Sequence, residues 1–297
     1  MIIPCRAIQK SIENTLAQSV LELKNSNRVP TLLAVLVGDD VAQHSYVRMK
    51  RKIAERIGVN FEFWHVPDPP AFDTFLELLQ QKIHTVSPVG IIVQLPLPPH
   101  YNREKLYEVI GVERDIEGHH PKNQYVFPLV QACMVGLMWA RTHLTQGGDN
   151  IKAFNQSSFP ITPSTSDWQW LHSKNIVIAG RGMTTGAPIA RYFETHQLPY
   201  VQTHSKMADA DGMYKQADII ISGVGKRILH RGNIKPGVIL LNFGLHQDVK
   251  SKKLTGDYDE DDVHDVAALY TQTPGGLGPL DIACLYGNLI HAARQAR

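Results

Sequence analysis

The run TLLAVLVG at residues 31–38 is apolar without a break from Leu32 to its closing glycine. A strand with one wet face alternates polar and apolar residues, whereas a strand covered on both faces does not. The same signature returns at VGIIVQLPLPP (89–99), at residues 175–180, at 217–223 and at 237–243, with further strands expected at 61–66 and 199–204. Helical patterns lie between them, at 5–25, around HSYVRMKRKIAERIG, and at 72–85, 129–143 and 186–197. Strands buried on both faces and separated by helices require parallel sheets, so the fold class is α/β. The stretch THLTQGGDNIKAFNQSSFPITPSTSDW is rich in Gly, Ser, Thr, Asn and Pro and reads as a linker, after which the strand–helix rhythm restarts. Two domains are expected, which suits a chain of 297 residues.

Charge excludes some functions. Lys and Arg number 30 against 28 Asp and Glu, which leaves no broad basic footprint for nucleic acid or an anionic membrane. No stretch approaches the roughly 20 apolar residues of a membrane span, and MIIPCRAIQKSIEN lacks the long apolar core of a signal peptide. Three widely spaced cysteines fit a reducing compartment. A soluble, cytoplasmic protein is expected.

Lys50 is the residue that does not suit a purely structural role. At about 100° per residue, Tyr46, Met49, Ile53 and Ile57 form one apolar arc and Lys50 falls inside it. An inward ammonium is paired, used in chemistry, or snorkels to the edge of the face. Tyr46 is its neighbour one turn earlier. Gln94, in the apolar run IIVQLPLP, needs hydrogen bonds and reads either as a strand-end amide or as a group that orients substrate or lysine. The acids of ERDIEGHHPKN, Asp115 and Glu117, read as solvated loop residues, as does the acidic run GDYDEDD at 256–262. No metal site is expected at His119 and His120, because adjacent side chains diverge and no third ligand has suitable spacing.

In NIVIAGRGMTTGAPIARYF, Gly180, Gly182 and Gly186 sit between an apolar strand and a helix. This is the context of a dinucleotide loop, where glycines let the backbone approach a pyrophosphate and the helix start supplies N–H donors. The next strand ends in His204, Ser205 and Lys206, with no acid for ribose hydroxyls, and Arg181 lies in the loop. These residues favour NADP over NAD. The glycines of TPGGLGP (273–279) permit close approach to a flat ligand.

The blocks YVRMKRK, VQLPLP, RDIEGHHPKN, PITP, GRGMTTGAPIA, THS, ADIIISGVGK, IKPGVILLNFG and TPGGLGPLDIACL occur in one order along nearly the whole chain. In this the chain resembles the bifunctional methylenetetrahydrofolate dehydrogenase/methenyltetrahydrofolate cyclohydrolase family. The resemblance implies an N-terminal α/β folate-binding domain (1–143 with 277–297, the C-terminal helix returning to it) and a Rossmann-type NADP-binding domain (144–276). It implies a homodimer, with a reduced folate as small-molecule substrate. Lys50, Gln94 and Tyr46 would be catalytic. Tyr46, Val93, Gln94, Leu95, Glu117, Pro274, Gly275, Gly276, Leu277 and Gly278 would meet substrate. Gly180, Arg181, Gly182, Ser205 and Leu245 would meet NADP. The activity implied is oxidation of 5,10-methylenetetrahydrofolate to the methenyl form and hydrolysis of that to 10-formyltetrahydrofolate. The chain departs from the family's pattern at Gln43 (Ser), Glu117 (Asp), Ile161 (Cys), Thr165 (Gly), Gly182 (Ser), Asn242 (Asp) and Asp281 (Thr). A non-catalytic NADP- or pterin-binding relative, or a dehydrogenase of another reduced pterin or small molecule, are the alternatives.

Overall fold

A computed structural model describes residues 1–148, 151–154, 159–247 and 253–296. Parts of the expected linker, 149–150 and 155–158, lie outside the described residues. The elements run α1 (Cys5–Asn25), β1 (Thr31–Val37), α2 (Val41–Ile57), β2 (Asn60–Val66), α3 (Phe72–Val86), β3 (Gly90–Val93), α4 (Arg103–Ile110) and α5 (Pro128–Gln146). They continue with α6 (Thr165–His172), β4 (Ile176–Ala179), α7 (Gly186–Thr195), β5 (Val201–Thr203), α8 (Ala210–Gln216), β6 (Ile219–Ser222) and β7 (Ile239–Asn242). A short β8 (His246–Gln247) and β9 (Leu254–Thr255), α9 (Glu260–Val263), β10 (Leu269–Tyr270) and α10 (Leu277–Gln295) complete the order.

The chain divides into two compact units. One, here the Lys50 unit, comprises Lys10–Pro128 and the chain from Ile282, with Phe159 and Pro160. The other, the Gly-loop unit, comprises Met1–Gln9, Leu129–Phe154 and Ile161–Asp281.

The Lys50 unit holds a parallel sheet in the order β2-β1-β3. Leu33, Val35 and Val37 of β1 and Ile91 and Val93 of β3 pack with Phe75 and Leu79 of α3 and Leu106, Tyr107 and Ile110 of α4. Leu32, Ala34 and Leu36, on the other face, are fully buried too. Coverage of both faces is what the unbroken apolar runs demand. From Ile282 onward α10 belongs to this unit, where the Asn288 side-chain amide donates to the carbonyls of Ile116 (2.8 Å) and Val126 (3.0 Å).

The Gly-loop unit holds a five-stranded parallel sheet, β10-β7-β6-β4-β5. The chain winds outward in both directions from β4 and β6, so the loop after β4 leaves the sheet at its topological switch point. Ligands bind there in open α/β sheets. The core of this unit includes Val177, Ala179, Ile220, Leu240 and Tyr258.

Several expectations are corrected. The run at 89–99 is a strand only over Gly90–Val93, so Gln94 stands just past its end. Helix α6 occupies ground read as linker, begun by a capping box in which Ser164 and Asp167 satisfy each other's backbone N–H groups. The acidic run at 256–262 is not a solvated loop throughout. Asp257 is buried and accepts from the N–H groups of Val224, Gly225 and Lys226, while Asp259 caps α9. Asn288→Ala removes the side-chain donor to the carbonyls of Ile116 and Val126. It should lower stability by about 1–3 kcal/mol, read as a lower urea midpoint.

Candidate active site

Helix α2 starts at Asp40, whose carboxylate accepts from the Gln43 N–H at 2.9 Å. Its inward residues are Gln43, Val47, Lys50, Ile53, Ala54 and Ile57. This corrects the expected arc: Tyr46 and Met49 are 42% and 45% exposed in the isolated chain. The 4-3-4-3 spacing of residues 43, 47, 50, 54 and 57 sets the buried stripe and puts Tyr46 and Met49 on its flank. Lys50 therefore sits deeper in the face than expected, 8% exposed.

The partner of that ammonium is Glu117, with Nζ to Oε1 at 3.2 Å. The other carboxylate oxygen faces His119 Nε2 at 3.6 Å, and Arg103 donates to His119 Nδ1 at 2.6 Å. With Nδ1 accepting, the neutral ring carries its proton on Nε2, toward Glu117. The His119 ring is only 6% exposed and packs between Tyr107 and Phe127. Burial alone would raise the Glu117 carboxyl. The Lys50 ammonium and the His119 ring outweigh it and bring the group down to about 2.

The loop carrying Glu117 is built by Asp115. The expectation of two solvated acids fails here, because Asp115 is fully buried and accepts from the N–H groups of Gly118 (3.2 Å) and His120 (2.5 Å). Burial raises the Asp115 carboxyl from its usual range, and those two bonds oppose the rise. Gly118 turns the chain at φ +78°, and a Cβ there would lie 2.7 Å from the Tyr125 carbonyl. That turn brings Glu117 and His119 together. Ile91 N–H holds Arg114 O at 2.8 Å, tying the loop to β3. From α10, the Tyr286 hydroxyl donates to the Lys50 carbonyl at 2.7 Å.

Val93 and Gln94 are buried at the carboxyl end of β3, and Leu95 is partly buried. Gln43, which the sequence reading did not place in the site, is buried. Its amide nitrogen donates to the Pro96 carbonyl at 3.4 Å, and its Oε1 has no hydrogen-bond partner among the described residues. His119 and Arg103 were missed as well.

The remaining site residues lie in the Gly-loop unit. Gly180 follows β4 at φ +104°, and Gln202 donates to the carbonyls of Gly180 (3.0 Å) and Gly186 (3.3 Å). A Cβ on Gly186 would stand 2.2 Å from the Gly180 carbonyl oxygen, so the turn closes only with glycine there. A Cβ on Gly182 would meet nothing within 4 Å. Arg181, Gly182, Ser205 and Leu245 are exposed. An open glycine loop at the start of α7, with a cation and a hydroxyl beside it, is a cradle that fits a dinucleotide phosphate. Asn242 is the hub beneath the neighbouring loops: Nδ2 donates to Gly244 O (2.9 Å) and Thr273 Oγ1 (2.8 Å), and Oδ1 accepts from Gly244 N–H (3.1 Å) and Asp257 N–H (3.2 Å). Thr273 leads into Pro274, Gly275, Gly276, Leu277 and Gly278. The residues expected to meet substrate are thus divided, with Tyr46, Val93, Gln94, Leu95 and Glu117 in one unit and residues 274–278 in the other.

Comparison with known proteins agrees with both halves. Residues 3–117 match the catalytic domain of tetrahydrofolate dehydrogenase/cyclohydrolase, and 165–297 match its NAD(P)-binding domain. The chain belongs to the tetrahydrofolate dehydrogenase/cyclohydrolase family. It is 33% identical to the bifunctional protein FolD of Geobacillus thermodenitrificans, over 99% of this chain and 97% of that protein. It is 34% identical to FolD of Geobacillus kaustophilus, with the same coverage. The crystal structure of the FolD methylenetetrahydrofolate dehydrogenase/cyclohydrolase from Campylobacter jejuni matches with a TM-score of 0.83 at 26% identity, covering 99% of this chain and 98% of that one. Within this family frame, Lys50 sits in the catalytic-domain match and the glycine loop in the NAD(P)-binding match.

The low carboxyl of Glu117 has a consequence with a definite sign. An exposed Glu protonates near 4.5, but in the folded protein Glu117 stays ionised to about 2. Its contribution to stability is complete above pH about 4.5 and is lost as pH falls toward about 2. Glu117→Gln should be less stable than the parent at pH 7. Urea midpoints of the two proteins, compared along an acid series, should converge through that window.

Proposed function

We propose that this protein oxidises 5,10-methylenetetrahydrofolate with NADP and hydrolyses the resulting methenyl compound to 10-formyltetrahydrofolate, as an enzyme of one-carbon metabolism. The observation that carries this reading is the buried Lys50–Glu117 pair at 3.2 Å in the matched catalytic domain. A desolvated, paired ammonium is positioned for proton transfer at a reacting centre.

The reduced folate is bound by residues of the folate-binding domain, 1–143 with 277–297. Glu117 accepts from the pterin ring, and Gln94, Val93 and Leu95 line its approach. The unpartnered Gln43 Oε1 is a further acceptor for a pterin N–H, since a buried carbonyl oxygen without a donor is unfavourable. Pro274, Gly275, Gly276, Leu277 and Gly278 present backbone to the substrate. In the NADP-binding domain, 144–276, the backbone of Gly180 and Gly182 and the start of α7 hold the pyrophosphate. Arg181 and Ser205 hold the 2′-phosphate, and Leu245 contacts the ring system. NADP, when bound, supplies the acceptor for the hydride that leaves the methylene bridge.

In the hydrolysis, water adds to the methenyl carbon and loses a proton. The carbon–nitrogen bond of the small ring then breaks as the adduct's hydroxyl becomes the formyl carbonyl. Lys50 Nζ supplies the proton that the leaving nitrogen takes up, and the proton released from the hydroxyl restores the ammonium. Glu117 keeps that ammonium oriented, with His119 and Arg103 holding Glu117 in turn. Tyr46, one turn before Lys50, covers it when substrate is bound. The protein acts as a cytoplasmic homodimer. The edge position of β5, with Val201 exposed, supports pairing through the NADP-binding domain.

The test is an absorbance assay of the purified protein with 5,10-methylenetetrahydrofolate and NADP, then NAD. NADPH formation followed by methenyl decay supports the reading. A folded protein that binds NADP yet turns over neither compound contradicts it and favours the non-catalytic or altered-substrate alternative. Lys50→Met should slow methenyl hydrolysis by on the order of 100-fold or more. Arg181→Ala should raise KM for NADP while leaving that for NAD nearly unchanged.

A further inference from the structure

Three metal-ligating side chains meet at the carboxyl edge of the Lys50 unit's sheet, apart from every residue assigned above. Asp39 follows the turn that ends β1, His44 lies on the first turn of α2, and His65 lies near the end of β2. His44 Nε2 is 2.7 Å from Asp39 Oδ1. His65 Nε2 is 3.5 Å from the same oxygen and 2.9 Å from the Gly38 carbonyl oxygen. One donor atom from each side chain lies within 4.8 Å of the other two.

These separations are those of ligands around one ion. With bonds of about 2.0–2.1 Å, neighbouring donors on a tetrahedral or octahedral ion stand roughly 2.9–3.4 Å apart. The separations from the two Nε2 atoms to the Asp39 and Gly38 oxygens, 2.7, 2.9 and 3.5 Å, bracket that range and are also those of hydrogen bonds, which bring the same donors together when no ion is bound. Nε2 ligation requires only that each neutral ring carry its proton on Nδ1 instead.

The two imidazoles are also held in place independently of any ion, while the Asp39 carboxylate faces them from an exposed position. The β1–β2 register sets Leu36 beside His65 and Val37 beside Val66, and Gly38 N–H donates to Val66 O at 2.8 Å. The Asp40 cap fixes the turn of α2 that carries His44. The two imidazoles meet edge to face at 4.7 Å, and Phe63 stacks on His65 at 5.9 Å, forming an apolar wall behind the donors. Two imidazoles with one carboxylate suit zinc, nickel, copper or iron(II) rather than magnesium or calcium.

We propose that Asp39, His44 and His65 bind one divalent transition-metal ion of the zinc type, with water or the Gly38 carbonyl completing its shell. The ion clamps the end of β1, the start of α2 and β2 to one another. The site does not depend on the folate reading. Its donors are 5 and 21 residues apart, a spacing that matches no metal motif, which is why the sequence alone did not mark it.

The test uses the untagged, chelator-treated full chain, titrated with Co²⁺ by absorbance and with Zn²⁺ by calorimetry. The expected result is one ion per chain, visible d–d bands from Co²⁺, and a Zn²⁺-dependent rise in Tm. His44→Ala and His65→Ala should each weaken binding by on the order of tenfold or more. Their dehydrogenase activity should match the parent, and their Tm should no longer rise on addition of Zn²⁺. Should either alanine variant misfold, His65→Gln serves in its place. No stoichiometric binding, or binding unchanged in the His44→Ala/His65→Ala double variant and so carried by others of the 14 histidines, would overturn the proposal.

Discussion

An ammonium taken out of water is the constraint around which the Lys50 unit is built. Removing a charge from solvent without a partner is strongly unfavourable, so placing Lys50 on the inner face of α2 obliges the fold to bring a carboxylate to it. That carboxylate comes from a loop 67 residues away in sequence, and the loop is made rigid in its turn. Asp115 accepts from two of its N–H groups, Arg103 anchors His119, and Asn288 of α10 satisfies the carbonyl of Ile116. The return of α10 to this unit then has a reason beyond apolar burial, because Asn288 and Tyr286 fix the two halves of the ion pair, one at the Glu117 loop and one at the backbone of Lys50.

The Gly-loop unit handles charge differently. Its candidate site relies on backbone N–H groups and an exposed cation rather than on a buried ion pair. Polar side chains beneath the loops hold backbone in place: Asp257 takes three N–H groups after β6, and Asn242 joins the loop after β7 to Thr273. Asn242 stands where the family pattern has Asp. An amide both donates and accepts here, so it can donate to the Gly244 carbonyl while accepting from the Gly244 N–H, which an ionised Asp could not do. The departure is thus accommodated by the structure around it.

What was legible in the sequence follows from what leaves a periodic trace. The strands β1, β3, β4, β6 and β7 were visible because burial on both faces writes an unbroken apolar run. Lys50 was visible because it interrupts an apolar arc, although the phase was off by enough to place Tyr46 and Met49 inside. The two-residue β10 and the eight-residue α4 and α6 are too short to show a period. Asp115 and Asp257 looked like solvated acids because their partners are backbone N–H groups of turns, which no residue pattern announces. The Glu117–His119 contact depends on the positive φ of Gly118, and the Asp39–His44–His65 cluster on strand register. Both were therefore beyond spacing arguments.

The central claim is that Lys50 and Glu117 act as one buried ion pair. A double-mutant cycle on stability, with Lys50→Met, Glu117→Gln and the two combined, tests it directly. Each single variant leaves a buried charged group without its opposite charge, and the double variant removes that penalty. The account predicts that the double variant is more stable than the sum of the single losses allows, by at least about 1 kcal/mol. Additive losses would mean that the two side chains stabilise the fold independently, and would contradict the pair as the organising feature of the site.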